Sequence, residues 1–173
     1  PEHRSGSDRL AEVAETLPED SIIVNVQGDE PTISPRTIEA AVDALVSDEN
    51  ADMSTTCEMI ESVDDLLNGN IVKVVTNEAG YAVYFSRSAI PYPRDAAIRR
   101  GGADNAMSEE PELLSLFRKH TGLYAYRREF LLEFAKMPQT KLEKIEMLEQ
   151  LRALENGAKI RVVEVSEPSI GVD

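Results

Sequence analysis

The amino-acid sequence predicts an α/β fold in which helices cover both faces of a mixed sheet and a β-hairpin is inserted. Short β-branched runs alternate along the chain with segments of helical periodicity, and such alternation is typical of α/β proteins. A hairpin-type connection interrupts the alternation near the middle of the chain. The 173 residues, 42% of them hydrophobic, are enough for one domain with a single core.

The first part of the chain predicts a helix, a strand and a second helix. Residues 7–17 carry apolar side chains at helical spacing. The β-branched run 21–26 predicts a buried strand, with parallel neighbours expected because such runs are typical of parallel sheets. Ser34 is a favourable N-cap and Pro35 a favourable first residue for a helix that extends to about Val46.

The middle of the chain predicts strands and one long loop. Residues 53–59 alternate as a strand does, and residues 71–76 and 81–86 flank a short connection of hairpin type. Residues 91–110 are rich in Pro, Gly, Arg and Asp with little periodicity, so we expect a long exposed loop there.

The last part predicts two strands around one helix. Residues 120–126 and 159–165 are strand-like. The segment from Thr140 to Glu143 matches a capping box, which opens a helix predicted to continue to about Glu155 before Gly157 ends it.

Composition excludes some classes of function. The formal net charge of −14 argues against binding to a nucleic-acid backbone, and no apolar run is long enough for membrane insertion as a helix. The single cysteine, Cys57, excludes an intramolecular disulfide and is expected to be a small core residue. A phosphate-bearing ligand would need local Arg or Lys side chains, or a metal ion.

The segment after the first predicted strand is a candidate ligand-binding turn. Gly28 permits a tight turn or a close backbone approach, Gln27 offers a donor and an acceptor, and Asp29 is a suitable ligand for Mg²⁺. In open α/β sheets, ligands bind beyond the carboxyl ends of strands. The residues alone leave a second interpretation open, in which the segment is a polar turn that ends the strand.

The residues before the first predicted helix also allow two interpretations, ligand binding or ordinary helix capping. Backbone N–H groups at a helix N-terminus favour an anion or a polar base edge. Ordinary capping by Ser5 or Ser7 explains the same residues.

Arg87 and Arg94, near the end of a strand and the start of the predicted loop, can bind a carboxylate bidentately or can be solvated surface residues.

Glu149 lies on the apolar side of the predicted last helix, at nearly the same angle as Leu142. A carboxylate among apolar positions is costly unless it is paired or used. One interpretation is an i,i+3 ion pair with Arg152, and the other is a carboxylate that accepts hydrogen bonds from sugar hydroxyls, with Gln150 alongside. His120, at the start of a strand, is expected to have a structural hydrogen-bonded role by default.

Several of these segments resemble one known family. The stretches HRSGSDRLAEV, IIVNVQGDEP, IVKVV, YAVYFSRSAIPYPRD, HTGLYAYR, LEKIEMLEQLRALENGAKI and GVD are similar, in this order, to the 3-deoxy-manno-octulosonate (Kdo) cytidylyltransferases of Gram-negative bacteria. The resemblance implies a nucleotide-diphospho-sugar transferase-like, Rossmann-like fold. It also implies a cytoplasmic homodimer that acts in lipopolysaccharide synthesis.

The resemblance implies transfer of CMP from CTP to the anomeric hydroxyl of Kdo, giving CMP-Kdo and pyrophosphate with Mg²⁺ as cofactor. Residues 1–173 would form one cytidylyltransferase domain that lacks the family's N-terminal phosphate-binding loop and its last helix, so this exact chain is expected to be inactive alone. A CMP-sialic acid synthetase-like enzyme and a non-catalytic nucleotide-sugar-binding module are the alternatives.

The resemblance also carries residue roles, position by position. Those assigned to cytosine and ribose, or to the nucleotide more generally, are Arg4, Ser5, Gly6, Arg9 and Gly28. Those assigned to catalysis are Gln27, Asp29 and Asp173, with the two aspartates as Mg²⁺ ligands. Those assigned to the Kdo pocket are Arg87, Arg94, His120, Tyr124, Glu149 and Gln150.

Overall fold

The chain forms a mixed six-stranded sheet with helices on both of its faces, as the sequence predicts. The computed structural model describes residues 6–26 and 33–166. The strands in these ranges are β1 (Ile22–Asn25), β2 (Met53–Met59), β3 (Lys73–Thr76), β4 (Ala82–Ser86), β5 (Arg118–Arg127) and β6 (Ile160–Glu164).

The helices lie between and after these strands. They are α1 (Gly6–Ala14), α2 (Pro35–Val46), α3 (Val63–Leu67), α4 (Arg94–Arg100), α5 (Ala103–Glu109), α6 (Arg128–Phe134), α7 (Lys141–Glu146) and α8 (Gln150–Glu155), with a 3₁₀ turn at Pro111–Leu116. In the part of the chain that the structure describes, no helix combines the length and the apolar character that crossing a membrane requires.

Strand β5 organises the sheet because it has neighbours along both edges. Strand β2 pairs with one edge, while β1 and β3 pair with different parts of the other edge. Strand β6 extends the sheet beyond β2 and is parallel to it. The expectation of parallel neighbours for β1 is wrong, since β1 runs antiparallel to β5 with Ile23 opposite Tyr126.

The reason for that error is visible in the packing around β1. Ile23 joins the apolar cluster on one face of the sheet, while Ile22 and Val24 pack against the cluster on the other face. A strand covered on both faces becomes apolar throughout, whatever the direction of its neighbour. The burial was predicted correctly, but it does not specify direction.

The two faces have separate cores. The larger core includes residues from α1, α6 and α8 and from the β3–β4 hairpin, packed on the face that carries Met53 and Tyr124. Cys57 lies in this core, where burial raises the pKa of its thiol to about 12, as expected for a structural cysteine. On the other face, Ala41 and Leu45 of α2 pack against β5.

The β3–β4 hairpin is confirmed, and its tip reaches β6. The turn closes through the Asn77 N–H, which donates to the Tyr81 carbonyl at 2.9 Å, and the Val162 N–H donates to the Gly80 carbonyl at 2.9 Å. Gly80 has φ 79°, and a Cβ there would stand 3.0 Å from the Arg161 guanidinium. Glycine is therefore required both for the turn and for the approach of Arg161.

The expected long loop at residues 91–110 is wrong, because the segment contains α4 and α5. Each helix buries one adjacent pair of residues, Ala96 and Ala97 in α4 and Ala106 and Met107 in α5. Two neighbouring apolar residues in a seven-residue helix produce no recognisable helical period.

The single helix expected between Thr140 and Glu155 is also wrong. The N-terminal capping box is present in part, since the Thr140 N–H donates to the Glu143 carboxylate at 3.1 Å. The helix then breaks at Met147, whose φ of 55° and ψ of 47° are left-handed. The angular relation between Leu142 and Glu149 that one continuous helix would impose is therefore absent.

Candidate active site

A bulge in β5 brings two polar aromatic rings together. Five residues of β5, from His120 to Tyr124, lie opposite only three residues of β2, from Thr55 to Cys57. Gly122 lies within the bulge and has φ 79°. A regular strand would separate positions 120 and 124 by about 13 Å, whereas their ring centroids are 5.1 Å apart.

These rings belong to a continuous aromatic wall. Phe85 of β4 meets His120 edge to face, with centroids 5.1 Å apart. Tyr126 follows Tyr124 at 5.8 Å, and Phe134 of α6 stacks on Tyr126 at 6.2 Å. The wall, defined by these five residues, presents apolar ring faces with imidazole and phenol groups among them.

His120 is neutral in this environment. Its Nε2 lies 2.7 Å from the Thr55 hydroxyl, and burial lowers its pKa to about 3 because the imidazolium cation would lose hydration. Burial likewise raises the pKa of Tyr124, so that residue is a neutral phenol. The structural hydrogen bond expected for His120 is confirmed.

Glu149 supplies a carboxylate next to the wall. It is close enough to Tyr124 and Tyr126 to reinforce the rise in pKa that burial causes in both phenols. The Ser7 hydroxyl of α1 donates to Glu149 at 2.7 Å. The Glu149 side chain remains 33% exposed, so its remaining lone pairs are accessible to a ligand.

The ion pair expected between Glu149 and Arg152 is present, with Nη2 and Oε1 2.5 Å apart. The same Nη2 lies 3.1 Å from the Glu143 carboxylate, a contact that the sequence analysis missed. Arg152 is buried and its guanidinium packs 4.6 Å from the centre of the Phe134 ring. One cation between two carboxylates leaves this group with a net negative charge.

Arg87 is held by backbone carbonyl groups. Its Nε donates to the Glu146 carbonyl at 2.7 Å and its Nη1 to the Gly69 carbonyl at 2.9 Å. The side chain therefore ties the junction between α7 and α8 to the end of β4. Binding of a substrate carboxylate by Arg87 stays a prediction.

Glu146 is a site-forming residue that the sequence analysis did not identify. Its carboxylate accepts hydrogen bonds from the Ser86 hydroxyl at 2.7 Å and from the Arg87 N–H at 3.0 Å. Burial alone would raise the pKa of Glu146, but these donors, together with Tyr84, outweigh it and lower the pKa. Glu146 thereby fixes the helix break that precedes Glu149.

The structure brings together only some of the residues assigned from the sequence. His120 and Tyr124 are in ring contact on β5, Glu149 lies close enough to Tyr124 to act on it electrostatically, and Gln150 is buried directly after Glu149. Arg94 begins α4 with its side chain 77% exposed, and Gly6 and Arg9 are exposed on α1. The assigned residues outside the described ranges are Arg4, Ser5, Gln27, Gly28, Asp29 and Asp173.

The described residues do not by themselves form a metal centre. Within residues 6–26 and 33–166, no three His, Cys, Asp or Glu side chains are grouped so that they could hold a metal ion. The expected Mg²⁺ ligands, Asp29 and Asp173, are both outside these ranges.

A family model described as Cytidylyltransferase matches residues 1–160. The chain belongs to this family. Curated relatives are similar over nearly the whole chain: a 3-deoxy-manno-octulosonate cytidylyltransferase of Geobacter sulfurreducens is 51% identical over 99% of the chain. A protein of the same name from Geotalea daltonii is 54% identical over 99% of it. The chain spans 66% and 65% of the lengths of these two cytidylyltransferases.

A solved structure confirms the fold implied by the resemblance. CMP:2-keto-3-deoxy-manno-octonic acid synthetase, solved in complex with CTP, matches over 99% of this chain and 64% of its own, with a TM-score of 0.83 and 39% sequence identity. The fold is therefore the nucleotide-diphospho-sugar transferase-like fold predicted from the sequence.

Proposed function

We propose that this cytidylyltransferase transfers CMP from CTP to the anomeric hydroxyl of Kdo, releasing pyrophosphate. The observation that carries the proposal is the shared position of His120, Tyr124 and Glu149. The resemblance assigns these residues to Kdo; His120 and Tyr124 belong to the aromatic wall, and Glu149 lies next to it. Identity of 51% with a relative of that name supports the same substrates.

The wall suits a polyhydroxylated sugar. Glu149 is a carboxylate that already accepts from Ser7 and Arg152 and retains lone pairs for sugar hydroxyls. His120 and Tyr124 add neutral polar groups to ring faces on which the C–H groups of a sugar can pack. Because these two side chains are uncharged, they add no further negative charge beside Glu149, and the attraction for an acidic sugar must come from cationic side chains.

The carboxylate of Kdo needs a cationic partner, and we assign that role to Arg87 and Arg94. Arg94 is exposed, with Asp95 as a distant partner at 3.9 Å. Arg87 would exchange a neutral carbonyl acceptor, such as that of Gly69, for the substrate carboxylate. Charge-assisted pairs are stronger than hydrogen bonds to neutral carbonyl groups, so the exchange is favourable once the sugar is bound.

The nucleotide would approach the start of α1. Gly6 opens this helix, and Arg4, Ser5 and Arg9 surround it in sequence. We propose that these residues hold the cytosine and ribose, since helix N-termini provide backbone donors. Asn25 pairs with Tyr124 of the aromatic wall. Gln27 and Gly28 follow Asn25 by two and three residues, so they are near the wall in sequence.

Asp29 and Asp173 would hold Mg²⁺, to which hard carboxylate oxygens are suited. When bound, the ion supplies charge neutralisation between two anionic substrates and acidifies the attacking hydroxyl. The protein's own contribution is positional: Arg87 and Arg94 orient the Kdo carboxylate so that the anomeric hydroxyl lies in line with the α-phosphorus. His120, with its lowered pKa, stays an uncharged partner throughout.

We also propose that residues 1–173 act as one domain, that the enzyme is a homodimer, and that it works in the cytoplasm for lipopolysaccharide synthesis. These proposals rest on the resemblance alone.

Pyrophosphate release by the intact protein tests the proposed reaction. We expect release that requires CTP, Kdo and Mg²⁺ together, and that is lost on chelation or in the Asp29→Asn variant. In Glu149→Gln we expect a raised KM for Kdo with an unchanged KM for CTP. Tight CTP binding without any pyrophosphate release in the presence of Kdo would indicate a nucleotide-sugar-binding module and would overturn the proposal.

A further inference from the structure

The hydrogen bonds around Thr55 determine where the proton of His120 lies. The Thr55 hydroxyl is 2.5 Å from the Leu123 carbonyl oxygen and 2.7 Å from His120 Nε2. A carbonyl oxygen can only accept, so the single hydroxyl proton of Thr55 points to Leu123. The bond to His120 is then possible only if Nε2 carries a proton and donates it to Thr55.

A neutral imidazole has one N–H, so protonation of Nε2 leaves Nδ1 with an unshared lone pair. Within the described parts of the chain, Thr55 is the only group that hydrogen-bonds the His120 ring. The neighbouring rings are those of Phe85, in edge-to-face contact, and of Tyr124, which is tilted against His120; both centroids are 5.1 Å away. Nδ1 is therefore an acceptor within the aromatic wall.

The bulge in β5 makes this arrangement possible. Leu123 directly follows Gly122 and His120 precedes it by two residues, and both are within reach of one Thr55 hydroxyl on β2. Thr55 is completely buried, so water does not compete for its two hydrogen bonds. The low pKa of His120, about 3, agrees with a ring held neutral.

We propose that Thr55 is a positioning residue that fixes the tautomer and orientation of His120, so that Nδ1 accepts a hydrogen bond from a hydroxyl of the bound sugar. This inference rests on the proposed function for its sugar, but the proton position does not depend on it. The site thereby selects ligands that present a hydroxyl donor to Nδ1. Thr55 itself does not contact the ligand.

Nitrogen NMR on the intact protein tests the tautomer without any substrate. Two-bond proton–nitrogen correlations show which ring nitrogen is protonated, and a His120→Gln spectrum assigns the signals. We expect a protonated Nε2 with a slowly exchanging proton in the wild type. A proton on Nδ1, or an even mixture of tautomers, would overturn the inference.

Variants of Thr55 test its role. Thr55→Val removes both hydrogen bonds at nearly constant volume, and we expect fast exchange of the Nε2 proton and an about tenfold higher KM for Kdo, with kcat and the KM for CTP unchanged. Thr55→Ser restores the hydroxyl and should restore both readouts. Unchanged ring signals and an unchanged KM in Thr55→Val would overturn the proposal.

Thr56→Val is the matched control. Thr56 is the adjacent buried threonine of β2, and its hydroxyl pairs with Thr121 at 2.5 Å rather than with His120. We expect similar destabilisation but wild-type His120 signals and KM. An equal KM increase in Thr56→Val would show a general effect of strand damage and would contradict the role of Thr55.

A wild type with the expected tautomer but no turnover of Kdo would instead refute the proposed reaction.

Discussion

The Ser7 hydroxyl donates a hydrogen bond to the Glu149 carboxylate at 2.7 Å, although the two residues are 142 positions apart. Through this bond, α1 is joined to the start of α8 beside the aromatic wall. The helix assigned to the nucleotide and the carboxylate assigned to the sugar are thereby in direct contact. The bond therefore links two segments that are far apart in sequence at the candidate site.

Replacing Ser7 by alanine should weaken sugar binding and stability together. Loss of one hydrogen bond to a charged, partly buried acceptor is expected to cost about 1 kcal/mol, which corresponds to about a fivefold rise in the KM for Kdo. Steady-state kinetics and urea unfolding measure the two effects. Ser108→Ala, at an exposed position of α5, is the control, and an equal effect in both variants would contradict a specific role for Ser7.

Glu146 should contribute to stability in a pH-dependent way. Because the folded protein lowers its pKa below the reference value of 4.5, the contribution is complete above pH 4.5 and is lost as the pH falls through the folded pKa. Glu146→Gln should therefore be less stable than the wild type by about 1 kcal/mol at pH 7, with a smaller difference near pH 3.5.

Urea unfolding of both proteins at pH 7, 5 and 3.5 measures this difference. Glu78→Gln, in the exposed turn of the hairpin, is the control for changing one carboxylate. A Glu146→Gln difference that stays constant across the three pH values would refute the lowered pKa.

His120 should make the folded protein less stable in mild acid. Its folded pKa of about 3 lies below the reference value of 6.5, so between these values the unfolded chain binds more protons and stability falls as the pH is lowered. Between pH 7 and pH 5 the loss from this residue should be about 2 kcal/mol. The His120→Asn variant should show a flatter profile in unfolding experiments over this range, and an equally steep profile would contradict the assignment.

Met147→Gly should stabilise the protein by about 0.5–1 kcal/mol. Met147 has left-handed dihedral angles and is 76% exposed, so the substitution relieves backbone strain and removes little packing. Calorimetry should show a higher Tm. As a control, Ile145→Gly in the right-handed segment of α7, at a residue that is also exposed, should lower it. A lower Tm for Met147→Gly would show that the helix break is not strained.

Elements defined by local signals were predicted well from the sequence. Helix α2 begins at Pro35 after Ser34, whose hydroxyl accepts from the Arg36 N–H at 3.2 Å. The β3–β4 hairpin lies where the short connection at 77–80 predicts it. In both cases the determining residues lie within a few positions of the structure they specify.

Features determined by distant contacts were missed for the same reason. The break between α7 and α8 depends on Glu146, which binds Ser86 across 60 positions of sequence. The bulge at Gly122 depends on the pairing of β5 with β2. The pair formed by Glu149 and Arg152 was found because it is local, whereas the second carboxylate on Arg152, Glu143, comes from another helix.

A comparison of two acidic sugars as substrates tests the central claim most directly. The intact protein is incubated with CTP, Mg²⁺ and either Kdo or N-acetylneuraminic acid, and the CMP-sugar formed is identified by mass and phosphorus NMR as initial rates are recorded. We predict CMP-Kdo as the product, with a kcat/KM for Kdo at least about 100-fold higher than for the nine-carbon sugar. Equal or greater efficiency with N-acetylneuraminic acid, or no CMP-sugar from Kdo, would contradict the assignment of this site to Kdo.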